Sequence, residues 1–279
     1  MKKVRLAAMM LAIMFTLLFA TTAGAVTGGV KDGDGHPHIV LLIMDVAGEP
    51  TYRCSATMLT KTVVLTAGHC TSNYPDEPFT GMRIFTESDI QNGDNNYPYA
   101  GPNSVEAKSW AAHPLYETAP FFLNDVGVVI LKGGDYNPGV FGTLPDLDQL
   151  DELATQRGKK DVNFTSVGYG LQKIVDNPVF GPVHLEAERI RYVANPHLIQ
   201  INSPGFTGDF SLLLSNNEST GGTCFGDSGG PNFLGDSNIV AGVTSFGLNG
   251  NCAGTGGVFR LDRQNVLDFV NSFLSKSKK

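Results

Sequence analysis

The feature that most constrains this chain is its succession of short apolar runs, each interrupted by turn-forming residues. Runs such as Val63–Thr66 and Val126–Leu131 are rich in β-branched residues, and a glycine follows each of them within two residues. With 33 glycines and 15 prolines among 279 residues, the chain favours strands over helices. The exception is the segment Leu261–Leu274, whose apolar residues fall mostly on one face of a predicted helix.

The first 25 residues have the three parts of a secretory signal peptide. A head with two lysines and an arginine precedes the apolar segment 6–20, and small residues at 23–25 form a signal-peptidase site. The apolar segment is shorter than the roughly 20 residues of a membrane-spanning helix. We therefore predict a secreted protein, extracellular or periplasmic, that leaves the membrane when residues 1–25 are removed. A retained N-terminal anchor is the alternative.

The charge of the mature chain argues against a nucleic-acid partner. The signal peptide takes three of the 20 Lys and Arg residues and none of the 27 Asp and Glu residues, which leaves a net charge of −10. A nucleic-acid-binding protein needs a basic face to offset phosphate charge. The remaining length is enough for one large all-β domain or two small ones.

Four cysteines remain after removal of the signal peptide: Cys54, Cys70, Cys224 and Cys252. In an exported chain an even number of cysteines indicates disulfides, and four cysteines allow three pairings. A zinc site is the alternative, but no pair of cysteines is spaced to supply two ligands from one turn.

Three separated residues carry candidate chemistry. Ser228 lies between glycines in GGTCFGDSGGP, where a substrate backbone can approach closely. A serine is a good nucleophile only when a base is within hydrogen-bond reach and a third group orients that base. His69 directly follows one apolar run and Asp125 directly precedes another. Taken singly, each of the three has a structural explanation, such as a strand-end cap or a turn.

TAGHC, ND-VGVVIL and GDSGGP, in that order, resemble the chymotrypsin- and trypsin-like serine peptidases. Subtilisin-like and α/β-hydrolase enzymes have a different order of the same residues. The resemblance runs from Val26 to the C-terminal helix. It implies an all-β fold of two antiparallel Greek-key β-barrels, about 26–143 and about 159–260, and a helix at about 261–275. The active site would lie in the cleft between the barrels.

The resemblance also implies the role of each residue. Ser228 would attack the scissile carbonyl, His69 would transfer the proton, and Asp125 would orient the imidazole. The backbone N–H groups of Gly226 and Ser228 would form the oxyanion hole. Substrates would be proteins or peptides, cut by a monomer without metal or other cofactor.

The same resemblance implies where the disulfides and the specificity pocket lie. Cys54 would pair with Cys70 beside His69, and Cys224 with Cys252 beside Ser228. Trypsin-like relatives bind Lys or Arg through an acidic residue six positions before the nucleophile, where this chain has Gly222. Glycines at this and two other wall positions predict a deep, uncharged slot for large apolar or aromatic side chains. The pocket residues expected from the family are Gly222, Thr223, Ser245, Phe246, Gly247 and Gly257.

The segment Val26-Thr27-Gly28-Gly29 resembles the new N-terminus of activated relatives, which is usually Ile-Val-Gly-Gly. In the family that amine pairs with the Asp before the nucleophile, here Asp227. Relatives commonly free the amine by cutting after Lys or Arg, and this chain has neither between Leu6 and Val30. We therefore predict that signal peptidase itself, cutting after Ala25, produces the active enzyme.

Two other classes of function stay open. One is an inactive relative that serves as a binding module, although such proteins usually lack one residue of the triad. The other is an esterase that uses the same residues. Candidate cation sites are the turn 32–35, the acidic segment 87–96, and the pair His36 and His38, for which a solvated turn, an acidic surface loop and strand entry are the preferred interpretations.

Overall fold

A computed structural model describes residues 26–72, 77–116, 120–133, 136–177, 181–186 and 188–276. The expected fold class is confirmed, since these residues form two antiparallel barrel-like sheets and a short C-terminal helix. Among them, no helix is both long enough and apolar enough to cross a membrane. The predicted signal peptide lies outside the described residues.

The strands of the first sheet are β2 (Ile39–Val46), β3 (Glu49–Met58), β4 (Val63–Thr66), β5 (Phe79–Phe85), β6 (Ser104–Ala112) and β7 (Gly127–Leu131). They close into a six-stranded barrel with the order β2-β3-β4-β7-β6-β5. The first six residues of β2 are apolar without alternation and are all buried. That pattern is typical of a strand covered on both faces.

The second sheet has eight strands: β1 (Val30–Lys31), β8 (Phe164–Gly168), β11 (Tyr192–Ala194), β12 (Leu198–Ser203), β13 (Gly208–Asn216), β14 (Pro231–Leu234), β15 (Val240–Gly247) and β16 (Gly254–Arg260). Their order in the sheet is β1-β11-β8-β14-β15-β16-β13-β12. A separate hairpin consists of β9 (Lys173–Asn177) and β10 (Gly181–Glu186). Because β1 pairs with β11, the N-terminal residues join the second sheet, although they precede the first barrel in sequence.

The connection between the two sheets contains a 3₁₀ helix, Gln149–Gln156, and the chain ends in helix α1, Gln264–Leu274. The predicted helix began at Leu261, but the N–H of Leu261 still donates to the carbonyl of Ala241, 3.1 Å away, as part of the sheet. The helix therefore starts three residues later. It buries Val266, Leu267 and Val270.

The disulfides link Cys54 to Cys70 and Cys224 to Cys252, which are the pairings that the resemblance implied. The paired residues are separated by 16 and 28 positions. Loops of this length are expected to contribute about 3 kcal/mol each by restricting the unfolded chain.

The acidic turn after β1 carries a buried ion pair. Asp32 was expected in a solvated turn, but its carboxylate accepts a hydrogen bond at 2.7 Å from Nε of Arg191, whose side chain is 1% exposed. The same carboxylate accepts bonds from the backbone N–H and Nδ1 of His36. Burial raises the pKa of Asp32, but the bonds from His36 and Arg191 outweigh it and hold the pKa below its ordinary value. The ion pair links this turn to Arg191, the residue directly before strand β11.

We predict that Asp32→Ala lowers the free energy of unfolding by about 3–5 kcal/mol, because it leaves the Arg191 guanidinium buried without a countercharge. Urea unfolding followed by tryptophan fluorescence measures the change. Asp34→Ala is the matched control, since Asp34 is exposed in the same turn. The control should change stability by no more than about 0.5 kcal/mol. Equal effects of both substitutions would contradict the account.

Candidate active site

His69 and Asp125 come from two neighbouring strands of the first barrel. His69 lies in a 3₁₀ turn, Gly68–Cys70, directly after β4, and Asp125 lies two residues before β7, which pairs with β4. Nδ1 of His69 is 2.9 Å from Oδ2 and 3.1 Å from Oδ1 of Asp125, and the backbone N–H of His69 donates to Oδ1 at 2.8 Å. The carboxylate therefore fixes both the ring and the main chain of His69.

The Asp125 carboxylate also accepts a hydrogen bond from a residue of the second sheet. The hydroxyl of Ser245 donates to Oδ2 of Asp125 at 2.5 Å, and the carboxylate is fully buried. The family pattern suggested Ser245 only as a residue of the specificity pocket. Its hydroxyl gives it a second role, because it joins the two sheets at the carboxylate.

The pKa of His69 is raised above its ordinary value. Burial alone would lower the pKa, but the charge of Asp125 and its hydrogen bond to the ring outweigh burial. The imidazolium form is therefore favoured by its surroundings. The side chain stays 22% exposed, so the ring is accessible from the cleft.

The Ser228 loop is fastened to the first barrel through Ser55 on β3. The N–H of Ser55 donates to the carbonyl of Ser228 at 2.8 Å, and its hydroxyl donates to the carbonyl of Gly226 at 2.9 Å. The same hydroxyl accepts the N–H of Tyr169 at 2.9 Å. No motif in the sequence indicated this role of Ser55.

Two N–H groups of the Ser228 loop are not used in the fold. Among the described residues, neither Gly226 nor Ser228 has an acceptor for its backbone N–H, whereas the N–H groups of Asp227, Gly229 and Gly230 all donate to backbone carbonyls. Gly226 has a φ of +97°, a left-handed conformation that favours glycine. Free N–H groups on both sides of one residue can bind an oxyanion.

Asp227 lies inside the protein. Its carboxylate accepts the N–H of Gly170 at 2.8 Å and the N–H of Cys224 at 2.9 Å, and no described side chain forms an ion pair with it. Burial raises the pKa of Asp227 to about 7, against the opposing effects of the two N–H donors and the charge of Arg53. A carboxylate in this position would gain much from a nearby cation.

The first described residues are docked against the segment before Ser228. Val26 is fully buried in a small cluster with Ile190, Tyr192 and Ala194. Thr27 pairs with Gly222 as an antiparallel bridge.

A cavity of about 410 Å³ opens beside Ser228. Its walls include Thr223, Ser245, Phe246 and Gly247, four of the residues that the family pattern assigned to the pocket. Among the described residues, no carboxylate and no cationic side chain lines it.

Gly222 and Gly257, the other two expected pocket residues, do not line the cavity. A Cβ on Gly257 would overlap the ring of Phe246, so Gly257 supports that ring rather than facing the cavity. A Cβ on Gly222 would enter the space of the Asn216 side chain, and Asn216 itself lines the cavity. The pocket is therefore less open than the three glycines predicted, because the Asn216 side chain occupies its inner end.

An aromatic cluster borders the same cavity. The ring centroids of Phe122 and Phe206 are 4.7 Å apart, and each lies 5.7 Å from the centroid of Phe246. Phe121 stacks edge-on against Phe122 and lines the cavity. The rings come from segments that are far apart in the chain, so no local pattern in the sequence indicated the cluster.

The acidic segment 87–96 is linked internally by amide groups. Oε2 of Glu87 accepts a hydrogen bond from the Asn95 amide, and Oε1 accepts one at 3.1 Å from Asn103. Asp89 binds the side chain of Asn92 in the same way. The carboxylates of Glu87 and Asp89 thus already have partners within the protein.

The comparisons with known proteins agree with this geometry. The sequence model of the trypsin family matches residues 26–269. Glandular kallikrein-10 of Rattus norvegicus is 25% identical over 241 residues, which cover 80% of this chain and 79% of the kallikrein. Collagenase of Hypoderma lineatum is 22% identical over 237 residues, covering 84% of this chain and 82% of the collagenase. A solved structure of HL collagenase superposes with a TM-score of 0.66 at 19% identity, over 88% of this chain and 97% of that one.

These matches define a class of protein, namely hydrolases built on two β-barrels that cut peptide bonds. The chain belongs to the trypsin family, since the family model covers far more than half of it. It is accordingly an endopeptidase of the serine type.

We predict that Asp125→Asn lowers the pKa of His69 below the ordinary value of a histidine, because burial then acts without the opposing charge. The pH titration of the His69 ring protons by NMR measures the pKa. Asp209→Asn is the matched control at an exposed position and should leave the titration unchanged. A His69 pKa that stays raised in Asp125→Asn would show that another group sets it.

Proposed function

We propose that this serine endopeptidase uses Ser228, His69 and Asp125 as its catalytic triad. The observation that carries the proposal is the bond from Nδ1 of His69 to the buried Asp125 carboxylate, beside a cavity that Ser228 lines. That bond leaves Nε2 of the ring as the atom to accept a proton from the serine. Because the pKa of His69 is raised, the imidazolium that forms when the ring accepts this proton is stabilised.

The reaction has two halves. Oγ of Ser228 forms a bond to the scissile carbonyl carbon while its proton moves to His69, and the carbonyl oxygen becomes an oxyanion that the N–H groups of Gly226 and Ser228 bind. The C–N bond then breaks, and His69 returns the proton to the leaving amine. Water enters by the same route: His69 takes its proton, the hydroxide attacks the acyl-enzyme, and Ser228 recovers its proton as the acid product leaves.

The buried Asp227 supports a proposal for activation. The amine of Val26, freed by cleavage after Ala25, would be an ammonium ion close to a carboxylate whose pKa burial raises to about 7. An ammonium partner favours the ionised carboxylate and offsets the cost of burying it. The complete burial of Val26 supports docking of this terminus.

The backbone of Val26 gives a further reason why cleavage would help docking. In the uncut chain Val26 has a φ of +59°, a left-handed conformation that is strained for a β-branched residue. A residue at the N-terminus has no such torsion to satisfy. Cleavage after Ala25 would thus remove strain as well as supply the ammonium ion.

We further propose that the enzyme is exported by its signal peptide, acts as a monomer, and cuts protein or peptide chains after apolar or aromatic residues. The cavity supports the last point, because the described residues of its walls carry no charge and include Phe121, Phe225 and Phe246. Burying an unpaired Lys or Arg side chain there would be costly.

We predict that Ser228→Ala lowers kcat/KM for casein-derived peptides by about 10⁶-fold, because the nucleophile is lost. The matched control is Ser272→Ala, at an exposed serine of helix α1, and should keep full activity. Ester hydrolysis without peptide hydrolysis by the wild-type enzyme would favour the esterase alternative. Equal activity of Ser228→Ala and wild type would contradict the triad.

We also predict that activity depends on a free amine at Val26. The protein is exported with a leader that a specific protease removes directly before Val26, and peptide hydrolysis is measured before and after that cut. Cleavage should raise kcat/KM by about 100-fold or more, because misplaced oxyanion-hole N–H groups in the uncut protein would lower the rate by about that factor. In the control, the cut leaves one additional alanine before Val26, and activity should stay low. Full activity of the uncut protein would refute the proposal.

A further inference from the structure

The inner end of the pocket has a side chain that the family pattern did not indicate. At the position from which trypsin-like relatives extend an acidic side chain into the pocket, this chain has Gly222. A Cβ on Gly222 would enter the space of the Asn216 carboxamide, so the amide occupies the place where that side chain would begin. Asn216 ends β13 and is 1% exposed.

We propose that Asn216 is the residue that recognises the far end of the substrate side chain before the scissile bond, and that Thr27 is the positioning residue that orients it. This inference rests on the proposed peptidase function. It assigns to the pocket a neutral floor that both donates and accepts hydrogen bonds.

The orientation of the Asn216 amide is fixed by two neighbours. Its Nδ2 donates to the carbonyl of Thr223 at 2.7 Å, and a carbonyl can only accept, so nitrogen rather than oxygen faces Thr223. Its Oδ1 accepts the hydroxyl of Thr27 at 2.7 Å. The same hydroxyl lies 3.2 Å from the carbonyl of Gly222.

These contacts leave part of the amide available to a ligand. A carboxamide has two N–H donors and two lone pairs on oxygen, and the contacts with Thr223 and Thr27 use one of each. The hydroxyl-bearing residues Thr223 and Thr255 line the same cavity. The floor therefore suits a neutral side chain that ends in a hydroxyl or an amide.

Tyrosine is the side chain that best fits both parts of the pocket. Its ring suits the walls with Phe225 and Phe246, and its hydroxyl can donate to or accept from Asn216. Phenylalanine would leave the free hydrogen-bonding groups of the amide without a partner, which a site built for a hydroxyl disfavours. A Lys or Arg side chain would meet no carboxylate among the described residues that line the cavity. We therefore expect preference for Tyr over Phe, and for Phe over Arg.

Thr27 connects this floor to the N-terminus. Relatives usually have an apolar residue here, which has no hydroxyl to hold an amide. In this chain the second residue of the predicted mature protein donates directly to Asn216. Docking of the N-terminus would therefore complete the floor of the pocket as well as supply the ammonium ion for Asp227.

The test compares kcat/KM for peptides that differ only in Tyr, Phe or Arg before the scissile bond. Enzyme concentrations are set by fluorophosphonate titration of the active serine, so that the fraction of active molecules does not affect the ratios. Asn216→Leu should lower the Tyr to Phe ratio by about three- to tenfold. Asn216→Asp should raise the Arg to Phe ratio by about tenfold or more, since it places a carboxylate on the floor.

The control for the second variant is Asn137→Asp, which makes the same change of charge at an exposed residue outside the pocket. It should leave both ratios unchanged. Thr27→Val should lower the Tyr to Phe ratio, because valine has no hydroxyl to donate to Asn216. Thr27→Ser should keep the wild-type ratio, because serine retains that hydroxyl. This pair decides the question if the Asn216 variants yield no titratable enzyme.

Unchanged ratios in titratable Asn216→Leu and Asn216→Asp would overturn the role of Asn216 while leaving the proposed peptidase intact. Unchanged ratios in Thr27→Val would overturn the positioning role of Thr27. A wild-type protein that neither titrates nor cleaves any peptide would instead refute the proposed function, and this inference with it.

Discussion

The active site is organised around a carboxylate that the fold buries without a side-chain partner among the described residues. Asp227 accepts the N–H groups of Gly170 and Cys224, so it connects the Ser228 loop to the end of β8. Its raised pKa shows that two N–H donors are not enough to favour the charged form. Under the proposed activation, the geometry of the neighbouring N–H groups of Gly226 and Ser228 would depend on how this carboxylate is neutralised.

The two sheets meet at the proposed catalytic residues through hydrogen bonds of two serine side chains. Ser245 of the second sheet holds Asp125 of the first, and Ser55 of the first sheet holds the Ser228 loop of the second. Each hydroxyl thus fixes a group that belongs to the other half of the molecule. Because of this reciprocal arrangement, the geometry of the proposed triad is expected to depend on correct packing of the two sheets, since a shift of either sheet would move both groups.

The family resemblance carried by the motifs around His69, Asp125 and Ser228 predicted the fold class, the disulfide partners and the pairing of His69 with Asp125, whereas the cysteine positions alone left three pairings open. Ser55, Asn216 and the aromatic cluster were not predicted, because their roles depend on contacts between residues far apart in the chain. Gly222 illustrates the difference. The sequence showed that a side chain is missing there, but only the tertiary structure shows that Asn216 fills the space. For the same reason the pairing of β1 with β11 could not be seen in the sequence.

The central claim is that Ser228 is a nucleophile in a protein that begins at Val26. Mass spectrometry of the secreted protein after treatment with a fluorophosphonate tests both parts of this claim at once. The account predicts a single adduct, on Ser228, in molecules whose N-terminal residue is Val26. An adduct on another serine, or no adduct on molecules that begin at Val26, would contradict it.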